Sequence, residues 1–537
     1  MNIDKSISFL LLAILTLLSL LFLQGIFNHP GAISNADILQ YPAFSLDLFK
    51  HHYSLLGWNL FETPNFFLTI FFYAPIYYLT GSSSLTFFIM ELLEILILIL
   101  LLMGINNKIY SHHYRITIIP LLLVTTFVLI TDYNSSWVLY DITTHCHFLT
   151  VLISLASFYI LFNFWYQNNS KIKYLLFFIG LLITISDQLI LPMFFAPSLL
   201  SAIICYRQGI HVPKKILLFF TAGAFSAFIF NKFVYYHQRT FNFSFQDFSV
   251  FKASLPLFFS GFYLLYMSVW LSCFLAIIFL TFLFLKKKSK IKSLVLQTGD
   301  NNLIHFWIYY LFFLPFLLLF STLALGQYGG ILSSRYLTAG LLFPIYGIFS
   351  LIFAILGSHL KKIYTLCITF FLTCGLLLTV FFQSSLLTDS GWKNYYPAET
   401  NCVDHFSDQF TTAYGLANYW NSRLINSYSQ RNLWINQITA SGLVYWWVNN
   451  KYWYLKNRED NQLPTYSFII LDKKLNQSRL IHLFGKPDLA INCWEAGYQT
   501  KNLIYIYKKP TSIGFLNNQF YQLNKSFFKK ELKLTVK

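Results

Sequence analysis

The chain has 537 residues, of which 56% are hydrophobic, 20% aromatic and 11% charged, and its mean hydropathy is +0.54. An ordinary soluble domain carries about 25% charged residues, so this composition excludes one and indicates a polytopic integral membrane protein. The net charge of +17 would suit nucleic acid in a soluble protein, but much of it lies in short loops between apolar runs. There it fits membrane topology and anionic headgroups, and no nucleic-acid partner is expected.

Crossing a hydrocarbon core of about 30 Å takes about 20 apolar residues. Such runs extend from Ser6 to Phe27, Leu85 to Ile105, Ile116 to Ile130, Phe148 to Tyr166, Ile216 to Phe230, Pro256 to Leu285, Ile304 to Leu325, Tyr336 to Gly357 and Ile363 to Phe382. The first follows Lys5 without a small-residue cleavage site, which marks it as a retained span. Phe66 to Thr80 is short and contains Pro75, so it is either a crossing or a re-entrant or interfacial segment. Tyr174 to Cys205 suits a hairpin of two short spans broken at Asp187. The expectation is an α-helical polytopic membrane protein of about 11 to 13 transmembrane helices. Residues 1–383 form the transmembrane domain, with a long first outer loop at 28–65, and residues 384–537 a small extracytoplasmic α+β domain.

Positive loops mark the cytoplasmic face. Lys108 with Arg115, Lys171 with Lys173, Arg207 with Lys214 and Lys215, the Lys286 to Lys292 cluster, and Lys361 with Lys362 therefore lie inside. The loops between them, and the C-terminal domain, lie outside. The abundance of Phe, Ile, Asn and Lys resembles the codon bias of an AT-rich bacterial genome, which points to a bacterial inner membrane.

No Walker loop, Gly-rich dinucleotide fingerprint or internal repeat is visible, so an ATP-driven pump encoded in this chain alone is not expected. Cys402 and Cys493 fall in the segment that the charge rule places in an oxidising compartment. They either pair there or remain two buried thiols.

Candidate chemistry concentrates on the outer loops. The first contains Asn35-Ala36-Asp37-Ile38-Leu39-Gln40-Tyr41, followed by Asp47, His51, His52 and Trp58. One span, a long outer loop with an acid soon after it, many further spans and a C-terminal extracytoplasmic domain together resemble the GT-C fold glycosyltransferases. That resemblance implies a polyprenyl-phosphate-sugar donor, transfer on the outer face to an envelope glycan or lipid, and a first-loop carboxylate acting as base or metal ligand. Asp37 is the matching position, and it stands alone where many members carry two adjacent acids.

A carboxylate can take the proton of an acceptor hydroxyl while a lipid phosphate departs. Asp37 in that role competes with helix capping, and Asp47 could share the work or be a solvated loop residue. Asp141 and His145 are four residues apart, so on a helix they share a face and could orient a phosphate or bind a divalent ion. Asp187, between apolar runs, is costly unless it faces water or a partner. Arg335, beside Gly329 and Gly330, offers phosphate a planar fork of donors. A divalent metal is the one cofactor this chemistry would invite.

Glu91 and Glu94, three apart in an apolar run, instead suggest a proton-coupled transporter of lipid or polysaccharide. The tail beyond Ser384 reads as a helix over Thr411 to Ser427, with strands at Ser467 to Leu471 and Leu503 to Tyr507. Its tryptophans, including Trp420, Trp446, Trp447 and Trp453, are either core residues or platforms for sugar rings.

Overall fold

The computed structural model describes residues 38–51, 53–59, 69–110, 148–167, 170–230, 252, 256, 275–278, 281, 299–324, 337–357, 396–457, 460–472 and 475–535. The chain divides into two compact units. One comprises Met1–Ile26, Thr63–Leu68 and Ile89–Asp389, the other Phe27–Glu62, Thr69–Phe88 and Ser390–Lys537.

Among the described residues, two helices are long and apolar enough to cross a membrane, Ser83–Ile109 and Asn301–Leu323. This corrects the expectation of about 11 to 13 transmembrane helices. The remaining apolar helices are shorter, at Leu149–Asn163, Leu191–Arg207 and Leu342–Ala354. The physical reason lies in the helix ends. Hydropathy counts an apolar run as one element, whereas the helical stretch Leu191–Arg207, which ends at the Gln208 cap, rises only about 25 Å, short of a core of about 30 Å. The run from Tyr174 to Cys205 is interrupted at Asp187, where the sequence placed a break, its first helix ending at Ser186. Spans expected at 6–27, 116–130 and 363–382 lie outside the described residues, as does most of 256–285.

In chain order the described helices are α1 (Gln40–Leu46), α2 (Phe71–Thr80), α3 (Ser83–Ile109), α4 (Phe148–Asn163), α5 (Ser170–Ser186), α6 (Ala196–Arg207), α7 (Lys214–Phe230), α8 (Asn301–Ala324) and α9 (Thr338–Gly357). The segment expected at Phe66 to Thr80 contains α2, whose ten residues rise about 15 Å. Its Phe71, Tyr78 and Leu79 are exposed.

Within the first unit, α5 and α7 pack backbone against backbone. A Cβ on Gly180 would strike the Phe220 carbonyl, and one on Gly223 the Phe177 carbonyl. Small residues at such crossings let helices approach closely without a side chain between them. Phe158 meets Phe194, Trp307 and Tyr310 edge to face, with centroids 4.7, 5.3 and 4.2 Å away. Asn106 joins α3 to α9 by donating to the Tyr346 hydroxyl at 2.7 Å and to Ser350 at 3.0 Å.

The second unit is built on a five-stranded mixed sheet. Its strands are β2 (Tyr414–Ala417), β3 (Trp434–Gln437), β5 (Phe468–Leu471), β6 (Leu489–Asn492) and β7 (Leu503–Ile506), in the order β3-β2-β5-β7-β6. β2 pairs in parallel with both β3 and β5, while β7 pairs antiparallel with β5 and β6. The helices α10 (Ala398–His405), α11 (Tyr419–Tyr428), α12 (Tyr452–Leu455), α13 (Gln477–Phe484), α14 (Pro510–Leu523) and α15 (Lys525–Thr535) complete it. The tail, expected to form a small α+β domain, contributes this mixed sheet and its helices, and the unit also takes in residues from the first loop. There β1 (Trp58–Asn59) pairs antiparallel with β4 (Asn449–Asn450).

Phe468-Ile469-Ile470-Leu471 is continuously apolar because both faces of this central strand are buried, the pattern of a covered parallel strand. The helix expected over Thr411 to Ser427 is instead β2 followed by α11. All four residues of β2 are buried, and Gly415 leaves room for the Phe468 ring, which a Cβ would strike. Asn418 then starts the helix, its side chain accepting from the Asn421 N–H at 2.9 Å, as a cap should. Cys402 and Cys493 form a disulfide in a core with Val403, Ile425, Ile470 and Ile504.

Candidate functional site

The first loop reaches its buried centre at Asp47, just beyond α1. Tyr41, Ala43 and Phe44 of that helix are buried, and Phe44 packs on Trp58 at 5.4 Å. Asp47 is itself fully buried. Its carboxylate accepts from Trp58 Nε1 at 2.9 Å, from Asn450 Nδ2 at 2.8 Å, and from Trp453 Nε1 at 2.9 and 3.0 Å to its two oxygens.

The Arg423 guanidinium lies over both of these indoles, 5.2 Å from the Trp58 ring and 5.1 Å from the Trp453 ring. Arg423 is also wholly buried, with Nη1 and Nη2 lacking a hydrogen-bond partner among the described residues. With the Gln437 amide oriented to donate to the Tyr445 and Trp447 carbonyls, its oxygen accepts from Arg423 Nε at 3.1 Å. Stacking on indole faces suits a weakly hydrated guanidinium.

Burial pushes the Asp47 carboxyl up to about 7, against the pull of its hydrogen bonds from Asn450, Trp453 and Trp58 and of the Arg423 charge. Burial also lowers Arg423, to about 10, opposed by Tyr419, Asp47 and Tyr454. Both shifts have one origin, the removal of a charge from water, which each partner only partly offsets.

Around this pair the first loop is fastened at further points. Trp446 Nε1 donates to the Gly57 carbonyl at 3.1 Å, Asn59 Nδ2 to the Trp446 carbonyl at 2.5 Å, and the Tyr53 hydroxyl to the Lys456 carbonyl at 3.0 Å. Lys451, next to β4, bonds Glu531 of α15 at 2.7 Å. Asp47 is therefore a fastening: N–H donors take both its oxygens, and that surrounding does not fit a metal ion. Among the described residues no three His, Cys, Asp or Glu side chains gather as metal ligands.

Asp187 belongs to the first unit, where it is buried and accepts from the Thr150 hydroxyl and, at 2.9 Å, from the Leu189 N–H. Asp37, Asp141, His145 and Arg335 lie outside the described residues, although Ile38, directly after Asp37, is buried within the second unit. Glu91 and Glu94 are buried in α3. Sequence reasoning passed over Arg423, Asn450 and the pairing of Trp58 with Trp453. A lone Arg in the otherwise uncharged stretch from Tyr419 to Tyr428 was the one available signal.

No protein-family model, curated protein or solved structure matches this chain.

Proposed function

We propose that the protein is a membrane glycosyltransferase of the bacterial inner membrane, moving a sugar from a polyprenyl-phosphate-linked donor to an envelope glycan or lipid acceptor on the outer face. The observation that carries this reading is the anchoring of the first loop. From Ile38 onward its described residues are packed into the same unit as the C-terminal segment, with Asp47 as the pin. Positioned proton transfer requires a rigid support, and the packed residues from Ile38 onward supply one.

In the proposed reaction the acceptor oxygen bonds to the anomeric carbon as the bond from that carbon to the phosphate oxygen breaks. The hydroxyl proton goes to Asp37, and the polyprenyl phosphate leaves as an anion held by the Arg335 fork. The Cys402–Cys493 disulfide supports an extracytoplasmic second unit, because such bonds persist in oxidising compartments. The transporter reading rests on the buried pair Glu91 and Glu94.

The test is transfer in isolated membranes supplied with polyprenyl-phosphate sugars. Asp37→Asn should lower turnover by about 10²- to 10⁴-fold, the usual worth of a general base, with insertion intact. Arg335→Lys should raise the KM for donor more than that for acceptor. Full activity in Asp37→Asn, with loss of function on Glu91→Gln or Glu94→Gln, would replace transfer by transport.

A further inference from the structure

The two central parallel strands of the sheet send their chains in opposite directions. β2 continues through Asn418 into α11 and on to β3, whereas β5 continues through Asp472 into α13, β6 and β7. Between strands whose connections diverge, the carboxyl ends are left uncovered, and open sheets bind their ligands at that point.

The residues standing there form one polar group. Asn418 Nδ2 donates to Asp472 at 2.5 Å. Asn502, which precedes β7, donates to the Asn421 oxygen at 3.1 Å. Asn421 is only 6% exposed, yet its Nδ2 has no hydrogen-bond partner among the described residues. A buried donor left unsatisfied is costly, so a group that arrives to accept from it gains that cost back.

Aromatic rings adjoin this group. Tyr419 contacts Trp420 at 5.4 Å and Trp447 at 5.0 Å, and Trp447 contacts Tyr445 at 6.0 Å. Trp420, two residues after Asn418 and one before Asn421, is 41% exposed and offers an apolar face.

We propose that the carboxyl ends of β2 and β5 form a binding subsite for a neutral glycan. The Trp420 and Trp447 faces take the C–H side of a sugar ring, Asp472 and Asn418 take its hydroxyls, and Asn421 Nδ2 donates to a further oxygen. Asp472 disfavours a phosphate, so the ligand is the sugar chain and not the lipid-linked phosphate. The subsite deepens the proposed transfer and rests on that reading only in assigning the glycan as acceptor.

The experiment is saturation-transfer-difference NMR on the full chain in a sugar-free detergent, with mannotetraose, chitotetraose and maltotetraose as probes. At least one should receive saturation at its ring protons. Trp420→Ala and Asp472→Asn should each weaken that binding about tenfold, with the disulfide and far-UV spectrum unchanged. Phe515→Ala, an exposed aromatic on α14, should leave it intact. No transfer to any probe, or transfer indifferent to both Trp420→Ala and Asp472→Asn, overturns the subsite. Asp37→Asn should bind the probe as well as the unaltered chain does. Loss of turnover in that variant without probe binding would sink the subsite alone, and probe binding with full turnover would sink the transferase reading alone.

Discussion

Asp47 keeps a carboxylate away from water because indole and amide N–H groups replace its hydration and Arg423 lies close by. Removing the carboxylate would orphan those donors and the buried guanidinium, so Asp47→Ala should cost about 3–5 kcal/mol, read as a lower denaturant midpoint. The pH dependence has a definite sign. The folded-state value of about 7 lies above the unfolded value of about 3.9. The protonated group therefore contributes its full stability below pH ~4, and that contribution is lost as pH rises through about 7. Asp47 should add a falling slope of at most ~1.4 kcal/mol per pH unit in that window. Tryptophan-monitored unfolding between pH ~5 and ~7 would measure it, and Asp47→Asn should remove that share. An unchanged slope in the variant would assign the titration to another group. Little of this was legible locally, since Asp47 reads as one more polar residue in a loop and, although Trp58 stands 11 positions on, Asn450 and Trp453 stand 403 and 406 positions away.

At the scale of elements, legibility followed burial. The β5 and β7 runs are apolar on both faces and bounded by polar residues, so they were visible as strands. β2 was absorbed into a helix because Tyr414-Gly415-Leu416-Ala417 has no alternation and lies against helical sequence. Only its pairing with β3 and β5 distinguishes it. The cysteines were visible as a pair, but their proximity came from the fold that sets α10 against the turn after β6. That disulfide spans 91 residues, and closing a loop of that size restricts the unfolded chain by about 4–5 kcal/mol. Cys402→Ser with Cys493→Ser should lower the unfolding free energy by several kcal/mol within that bound. Thiol labelling of the unfolded, unreduced protein should find neither sulfur free. Labelling of both would show that the pair is not formed in the cell.

At the scale of the whole chain, hydropathy located apolar segments but not the number of helices able to cross. Run length is a property of composition, whereas a crossing requires an uninterrupted helix. The charge pattern carries a different kind of information, and the second unit constrains it. Residues 38–59 and 396–535 contribute to one compact unit, so they must share one aqueous compartment, with an even number of crossings between them. On the proposed topology that compartment is the outside. Single cysteines in a background retaining only the Cys402–Cys493 pair should report it. Leu56 is 90% exposed and Leu443 42% exposed, so Leu56→Cys and Leu443→Cys should both react with a membrane-impermeant maleimide on intact spheroplasts. Lys288→Cys, in the densest basic cluster, should react only after permeabilisation. Labelling of Leu56→Cys without Leu443→Cys would break the shared unit. Labelling of Lys288→Cys alone on intact spheroplasts would keep the unit but reverse the faces, removing the outer-face chemistry on which transfer from a lipid-linked donor depends.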